Sequence, residues 1–131
     1  MKNKNGAGKY QEQIVKQFYK AISEKRFIEF YYIDKYKKKE GTRKGEAYLI
    51  GINEKGNLFI SGVFTAIEKN NQENSGHKNF LIDQIKEGSL KILPEKFNHL
   101  KIDAEKVYRL KESNVLCAVY FPEAIAKAYK K

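Results

Sequence analysis

The sequence has no tryptophan, a single cysteine and only two prolines in 131 residues. Each scarcity excludes something. One thiol, Cys117, cannot close an intrachain disulfide, so the cross-linked scaffold of a small secreted domain is ruled out and a reducing, cytoplasmic setting is expected. Cys117 lies in the apolar run Val115-Leu116-Cys117-Ala118-Val119-Tyr120-Phe121. A core thiol is expected there, because a reactive thiolate needs an accessible, electropositive site. Without tryptophan, nine tyrosines and eight phenylalanines carry all the aromatic packing. No apolar stretch approaches the roughly 20 residues of a membrane span, and the polar segment 1–9 lacks the apolar stretch of a secretory signal.

Catalytic and metal-binding signatures are equally thin. His77 and His99 stand far apart without thiol or acidic companions at zinc spacing, and both read as surface side chains. Gly41, Gly45, Gly51, Gly56 and Gly62 fall at turn or strand positions rather than in a phosphate-cradling loop. Serine- or cysteine-based hydrolysis would need a base beside Ser or Cys117, and neither histidine is placed for it. Asp83 reads as a carboxylate accepting backbone hydrogen bonds at a strand bend. A non-catalytic protein without metal or cofactor is the expectation.

Positive charge is abundant. Lys and Arg number 26 against 16 Asp and Glu, a net charge of +10 and a pI near 9.5. Polyanions are the natural electrostatic partners of such a chain. The charge is densest at Lys35, Lys37, Lys38, Lys39, Arg43 and Lys44, interrupted by Tyr36. Lysines supply phosphate contacts without sequence choice, and a tyrosine can stack on a base. The plainer reading is a solvated hairpin loop whose charge resists edge aggregation.

The hydrophobic pattern places the elements. After a polar tail over 1–8, Ile14, Phe18, Ala21 and Ile22 recur on one face of a helix over 9–25. Phe27-Ile28-Glu29-Phe30-Tyr31-Tyr32-Ile33 has strand composition. The segment 34–44 reads as a loop. Strands follow at 45–52, 58–64, 78–85 and 89–93, with a hairpin turn at 53–57 in which Gly56 supplies positive φ and Pro94 stopping the fifth. Five short strands at this spacing suggest a small closed or partly closed barrel. Asp103 can cap a short helix over 104–110, 115–121 is a sixth, apolar strand, and Pro122 suits the first turn of a last helix over 123–129.

In order and residues the chain resembles the WYL-domain family. The resemblance rests on Ala21-Ile22-Ser23-Glu24-Lys25-Arg26-Phe27-Ile28-Glu29-Phe30-Tyr31-Tyr32 and on Arg43-Lys44-Gly45-Glu46-Ala47-Tyr48-Leu49-Ile50. It continues in Leu58-Phe59-Ile60 at the eponymous position, in Asn79-Phe80-Leu81-Ile82-Asp83-Gln84-Ile85, and in Glu95-Lys96-Phe97. It implies an α+β, mainly β fold: an N-terminal helix with a five-stranded SH3-like barrel over 9–97. The start of the family's C-terminal extension would then cover 98–131. The chain departs from the family at Ala47 and Leu58, and at Leu81 and Gln84. Those last two replace arginines that, by the resemblance, face a ligand or nucleic acid.

The leading expectation is a nucleic-acid-binding or nucleic-acid-responsive accessory protein, with single-stranded DNA or RNA as partner. Phosphate contacts would come from Lys35, Lys37, Lys38, Lys39, Arg43, Lys44 and Lys78, and base contacts from Tyr48 and Phe59. Tyr31 and Tyr32 are further candidates for a stacking platform. The alternative is a protein-interaction or small-effector regulatory domain acting on a partner protein. Strand 115–121 must find an edge: the barrel's own, giving a compact monomer, or the same strand of a second copy, giving a two-fold homodimer, which its apolar character on both faces favours.

Overall fold

A computed structural model describes residues 2–33, 40–68, 74–108 and 114–129. Helix α1 (Lys2–Glu24) opens the chain. The periodic face does what its spacing predicts: Ile14, Phe18, Ala21 and Ile22 are all buried, and Phe18 meets Phe30 of the sheet edge-on at 6.1 Å. The helix takes in positions 2–8, read from composition as a tail. No proline interrupts them, and Gly6 and Gly8 cost a helix about 1 kcal/mol each. At the other end Lys25 adopts φ +56°, a left-handed position that stops the helix and turns the chain into the first strand.

Six strands form one antiparallel sheet: β1 (Arg26–Tyr32), β2 (Gly41–Ile52), β3 (Leu58–Ala66), β4 (Gly76–Leu81), β5 (Lys91–Lys96) and β6 (Asn114–Ala118). Five run in the order β4-β3-β2-β1-β5, and β6 pairs with β2. β2 organises the sheet. Its first half pairs with β1 and its last residues, Leu49 to Ile52, pair with β6, while β3 runs along the opposite side. A register shift between Ala47 and Leu49 marks the change of partner.

The α+β, mainly β class is as expected, but the sheet does not close into a barrel. It curls instead. β1 and β4 lie three places apart, about 14 Å if the sheet were flat. Their Phe30 and Phe80 rings nevertheless meet at 5.4 Å. A single 3-10 turn, Ile82–Gln84, links the two ends: Ile33 N–H donates to Gln84 C=O and Lys86 N–H to Tyr31 C=O, each at 2.8 Å. Curling needs close backbone approach at Gly62, where a Cβ would strike the carbonyl oxygen of Glu46. Edge-on contacts among Phe30, Phe64, Phe80 and Tyr32 fill the concave face.

Several boundaries differ from the sequence reading. β2 begins at Gly41, within the stretch read as loop, because Thr42 and Arg43 pair with both β1 and, at Arg43, β3. β4 ends at Leu81, and the 3-10 turn takes the residues assigned to its end. β5 runs through Pro94. Among the described residues its sole ladder is with β1, and between the pairs Ile28–Ile92 and Arg26–Lys96 only Phe27 faces Leu93, Pro94 and Glu95. An edge strand with such a bulge tolerates proline. The hairpin turn forms as expected, with Gly56 at φ +83° and the Asn53 carboxamide oxygen accepting from Lys55 N–H and Asn57 N–H.

The C-terminal part contains α2 (Ala104–Tyr108), β6 and α3 (Pro122–Ala128), in the expected order. Tyr108 Oη donates to Val119 C=O at 2.6 Å and Tyr129 Oη to Tyr108 C=O at 2.8 Å, tying the two helices together. Among the described residues no helix is long and apolar enough to cross a membrane.

Candidate interaction surfaces

Among the described residues, the structure does not bring the expected phosphate- and base-contacting side chains together. Lys35, Lys37, Lys38 and Lys39 lie outside the described residues. Arg43 is fully buried, its guanidinium 5.6 Å from the Phe80 ring. It points into the concave face, so it is withdrawn from phosphate contact. Tyr48 is buried as well; its hydroxyl donates to Glu46 Oε1 at 2.8 Å and accepts the Lys101 N–H at 3.0 Å. Burial pushes this phenol far above its usual range. A ring held in this way cannot stack on a base. Phe59 is 6% exposed and floors a shallow recess of about 210 Å³ with Asn53 and Asn79, too covered to form a stacking platform. Tyr32 belongs to the core, while Tyr31 is half-buried, with its hydroxyl 3.2 Å from Glu40.

Two expected cations stay within reach of solvent, but apart. Lys44 pairs with Glu95 at 3.4 Å. In the ladders Lys44 lies beside Thr65 and Lys78 beside Gly62, positions an odd number of residues apart along β3. Alternation puts the two side chains on opposite faces of the sheet. Asp83 is exposed in the 3-10 turn.

A buried polar cluster occupies the convex face. Glu46 is 1% exposed; its Oε2 lies 2.6 Å from Lys101 Nζ and its Oε1 accepts the Tyr48 hydroxyl. Lys101 also sits 5.6 Å over the Phe27 ring. Glu46 stands in strand β2. It is buried because the segment around Lys101 returns across that face, a contact between positions far apart in the chain that no local pattern encodes.

On the same face Ser61 Oγ and His77 Nε2 are 2.8 Å apart, a diagonal contact between β3 and β4. Burial, and then the Lys106 charge, hold the imidazole below its ordinary value. Ser61 itself is buried, and among the described residues no carboxylate bonds the ring, so the pair reads as a cross-strand hydrogen bond. Cys117 is half-buried and burial pushes its thiol up, away from thiolate reactivity. Among the described residues no group of three or more His, Cys, Asp or Glu side chains is placed to hold a metal ion.

What the surface does offer is apolar. Among the described residues β6 is hydrogen-bonded to β2 alone, and Val115, Leu116 and the following Tyr120 are 42%, 54% and 66% exposed. The outer strands β4 and β5 are built differently: β4 carries His77 and Lys78, and β5 carries Lys91, Pro94, Glu95 and Lys96. Charge and proline discourage edge-to-edge pairing, and β6 (Asn-Val-Leu-Cys-Ala) has neither. Comparison with protein-family models, with curated proteins and with solved structures finds no match.

Proposed function

We propose that this chain is a non-catalytic interaction domain of a regulatory kind, acting on a partner protein through the β6 strip. The observation that carries the reading is the contrast between edges: β4 and β5 are guarded by charge and proline, whereas β6 is uncharged with exposed Val115 and Leu116. An extended segment of the partner would add to β6 by main-chain hydrogen bonds, with Leu116 and Tyr120 as apolar anchors. The strand order β4-β3-β2-β1-β5, with a 3-10 turn between β4 and β5, supports reading the sheet as an opened SH3-like barrel of the WYL kind. The experiment is capture from a nuclease-treated lysate by the wild-type chain and by a Leu116→Lys, Tyr120→Lys variant. A stoichiometric protein held by the first and lost by the second is expected. Identical captured sets would refute the role of β6.

Net charge favours a second reading, contact with single-stranded DNA or RNA. The +10 charge supports it, and the lysines at 35 and 37–39 would carry it, since Arg43, Tyr48 and Phe59 are buried. Backbone binding of this kind weakens steeply as salt rises. Charge reversal of Lys37, Lys38 and Lys39 to Glu should abolish retention of a labelled oligonucleotide at low salt. Undiminished binding would move the site elsewhere.

A further inference from the structure

We infer that the partner segment taken up by β6 is acidic at one end: an extended, otherwise uncharged stretch that lies along β6 and sets aspartate or glutamate against Lys25 and Lys96. The inference rests on the reading of β6 as the docking strip and names the chemistry of its occupant. β1 and β6 lie end to end along one side of β2. β1 begins its pairing with Phe27 opposite Glu46, and β6 ends its own with Ala118 opposite Leu49. Across the interval Val119 N–H donates to Tyr48 C=O. β5 lies on the far side of β1, and its last residue, Lys96, pairs with Arg26. A strand added to the open edge of β6 therefore lies in line with β5, and one of its ends meets this junction.

The junction is basic. Lys25 Nζ stands 5.0 Å over the ring of Phe121, just past β6, and the Lys25 C=O accepts the Phe97 N–H at 2.9 Å. Among the described residues neither Lys25 nor Lys96 has a carboxylate partner, whereas Arg26 pairs with Glu24 at 3.0 Å and Lys101 with Glu46 at 2.6 Å. Lys25 and Lys96 are thus in excess there, and counting Glu123 of the neighbouring α3 against them still leaves a positive charge. The other end of β6 is balanced. Asn114 pairs with Ile52, next to the turn that carries Glu54 and Lys55. The open edge is therefore neutral at Asn114 and positive at Phe121, and β6 between them is uncharged. An uncharged segment with one acidic end matches both parts. A lysine at that end is repelled, and a segment acidic throughout sets carboxylates against Val115 and Leu116. A nucleic acid has no peptide N–H and C=O groups to continue the ladder.

The probes are fluorescein-labelled valine/threonine peptides read by anisotropy. Two carry a pair of aspartates, one at the amino end and one at the carboxyl end, because parallel and antiparallel addition bring opposite ends to Lys25. Their counterparts carry lysines instead. One aspartate isomer should bind more tightly than its lysine counterpart, and rising salt should narrow the difference. Lys25→Gly removes the ammonium and suits the φ of +56°. It and Lys96→Gln should each weaken the favoured aspartate peptide about threefold, and together about tenfold. Lys78→Gln with Lys91→Gln lowers the net charge equally, on β4 and at the far end of β5, and should change nothing. Leu116→Lys should abolish binding of every peptide. If aspartate and lysine peptides bind equally, and both are lost in Leu116→Lys, the β6 strip stands and the acidic occupant is refuted. An equal loss of affinity in the Lys78→Gln, Lys91→Gln variant also refutes it, since overall charge would then be the cause. Binding that survives Leu116→Lys overturns the β6 reading and this inference with it.

Discussion

Removal of the Lys101 ammonium, in Lys101→Met, tests how the C-terminal segment is seated. Glu46 Oε2 stands 2.6 Å from Lys101 Nζ, and the Glu46 residue is 1% exposed. Without the ammonium, a buried carboxylate keeps, among the described residues, only the Tyr48 hydroxyl at 2.8 Å. Breaking a buried pair from one side costs about 3–5 kcal/mol. The Lys101 side chain is half exposed, at 50%, so water can enter where its Nζ stood. Screening brings the expected loss down to about 2 kcal/mol. Glu46→Gln removes the charge but keeps an acceptor for Tyr48, and should cost about 1 kcal/mol. The double variant should therefore be more stable than Lys101→Met alone, although it carries one more substitution. Urea unfolding at unchanged m gives the three differences, and amide exchange at Lys101, whose N–H donates to Tyr48, should accelerate in Lys101→Met. If Lys101→Met were no less stable than the double variant, the carboxylate would be solvated and the cluster would not be a buried lock.

Phe18→Asp places an unpaired charge where the ring is fully buried, and should cost about 4 kcal/mol, measured as a collapse of the melting temperature. Gly62→Ala drives a methyl onto the Glu46 carbonyl oxygen and should cost about 2–3 kcal/mol, with amide exchange rising on both β2 and β3. His77 is held below its unfolded value of about 6.5. The unfolded state then takes up its proton first as pH drops. The stabilisation belonging to neutral His77 is complete above about pH 6.5 and is lost as pH falls through the folded value. Melting temperatures followed from about pH 7.5 down to about pH 5 should fall less steeply in His77→Gln, and parallel profiles would refute the shift.

Periodic, local features were legible in the sequence. The α1 face was readable because Ile14, Phe18, Ala21 and Ile22 repeat at helical spacing, and all are buried. The Asn53–Asn57 turn was readable because its chemistry is contained within the turn. Arg43 was not. A cation beside Lys44 near a lysine-rich stretch reads as surface, yet its place in the ladder opposite Phe30 turns it inward. Tyr48, expected to face a base, failed for another reason. Its surroundings, with those of Glu46 beside it, come from a segment more than fifty residues away, through Lys101. Pro94 reads as a strand terminator only if pairing on both sides is assumed, and β5 pairs on one. The missed features are thus set by the curl of the sheet and by the return of the chain over its convex face.

The β6 strip carries a last consequence, for the isolated protein. A strand without charge or proline is complementary to itself, and antiparallel pairing across a two-fold axis sets Leu116 against the same strip of a second copy. Only five residues of strand are involved. The buried area then falls below the roughly 1,000 Å² of a durable interface, so the dimer should form with concentration rather than be permanent. Static light scattering across a dilution series should show mass rising from monomer toward dimer. Leu116 is 54% exposed, so Leu116→Lys leaves the fold intact, places two ammonium groups near the axis and should weaken association about a hundredfold. Val119 provides the contrast. Sequence assigns it to the same apolar strand, but it is 1% exposed and its N–H donates to Tyr48 C=O at 2.7 Å. Val119→Lys should therefore lower stability by several kcal/mol. A wild-type chain that stays monomeric at every concentration would refute self-pairing. So would a Leu116→Lys variant that dimerises unchanged, because the edge would then not be the contact.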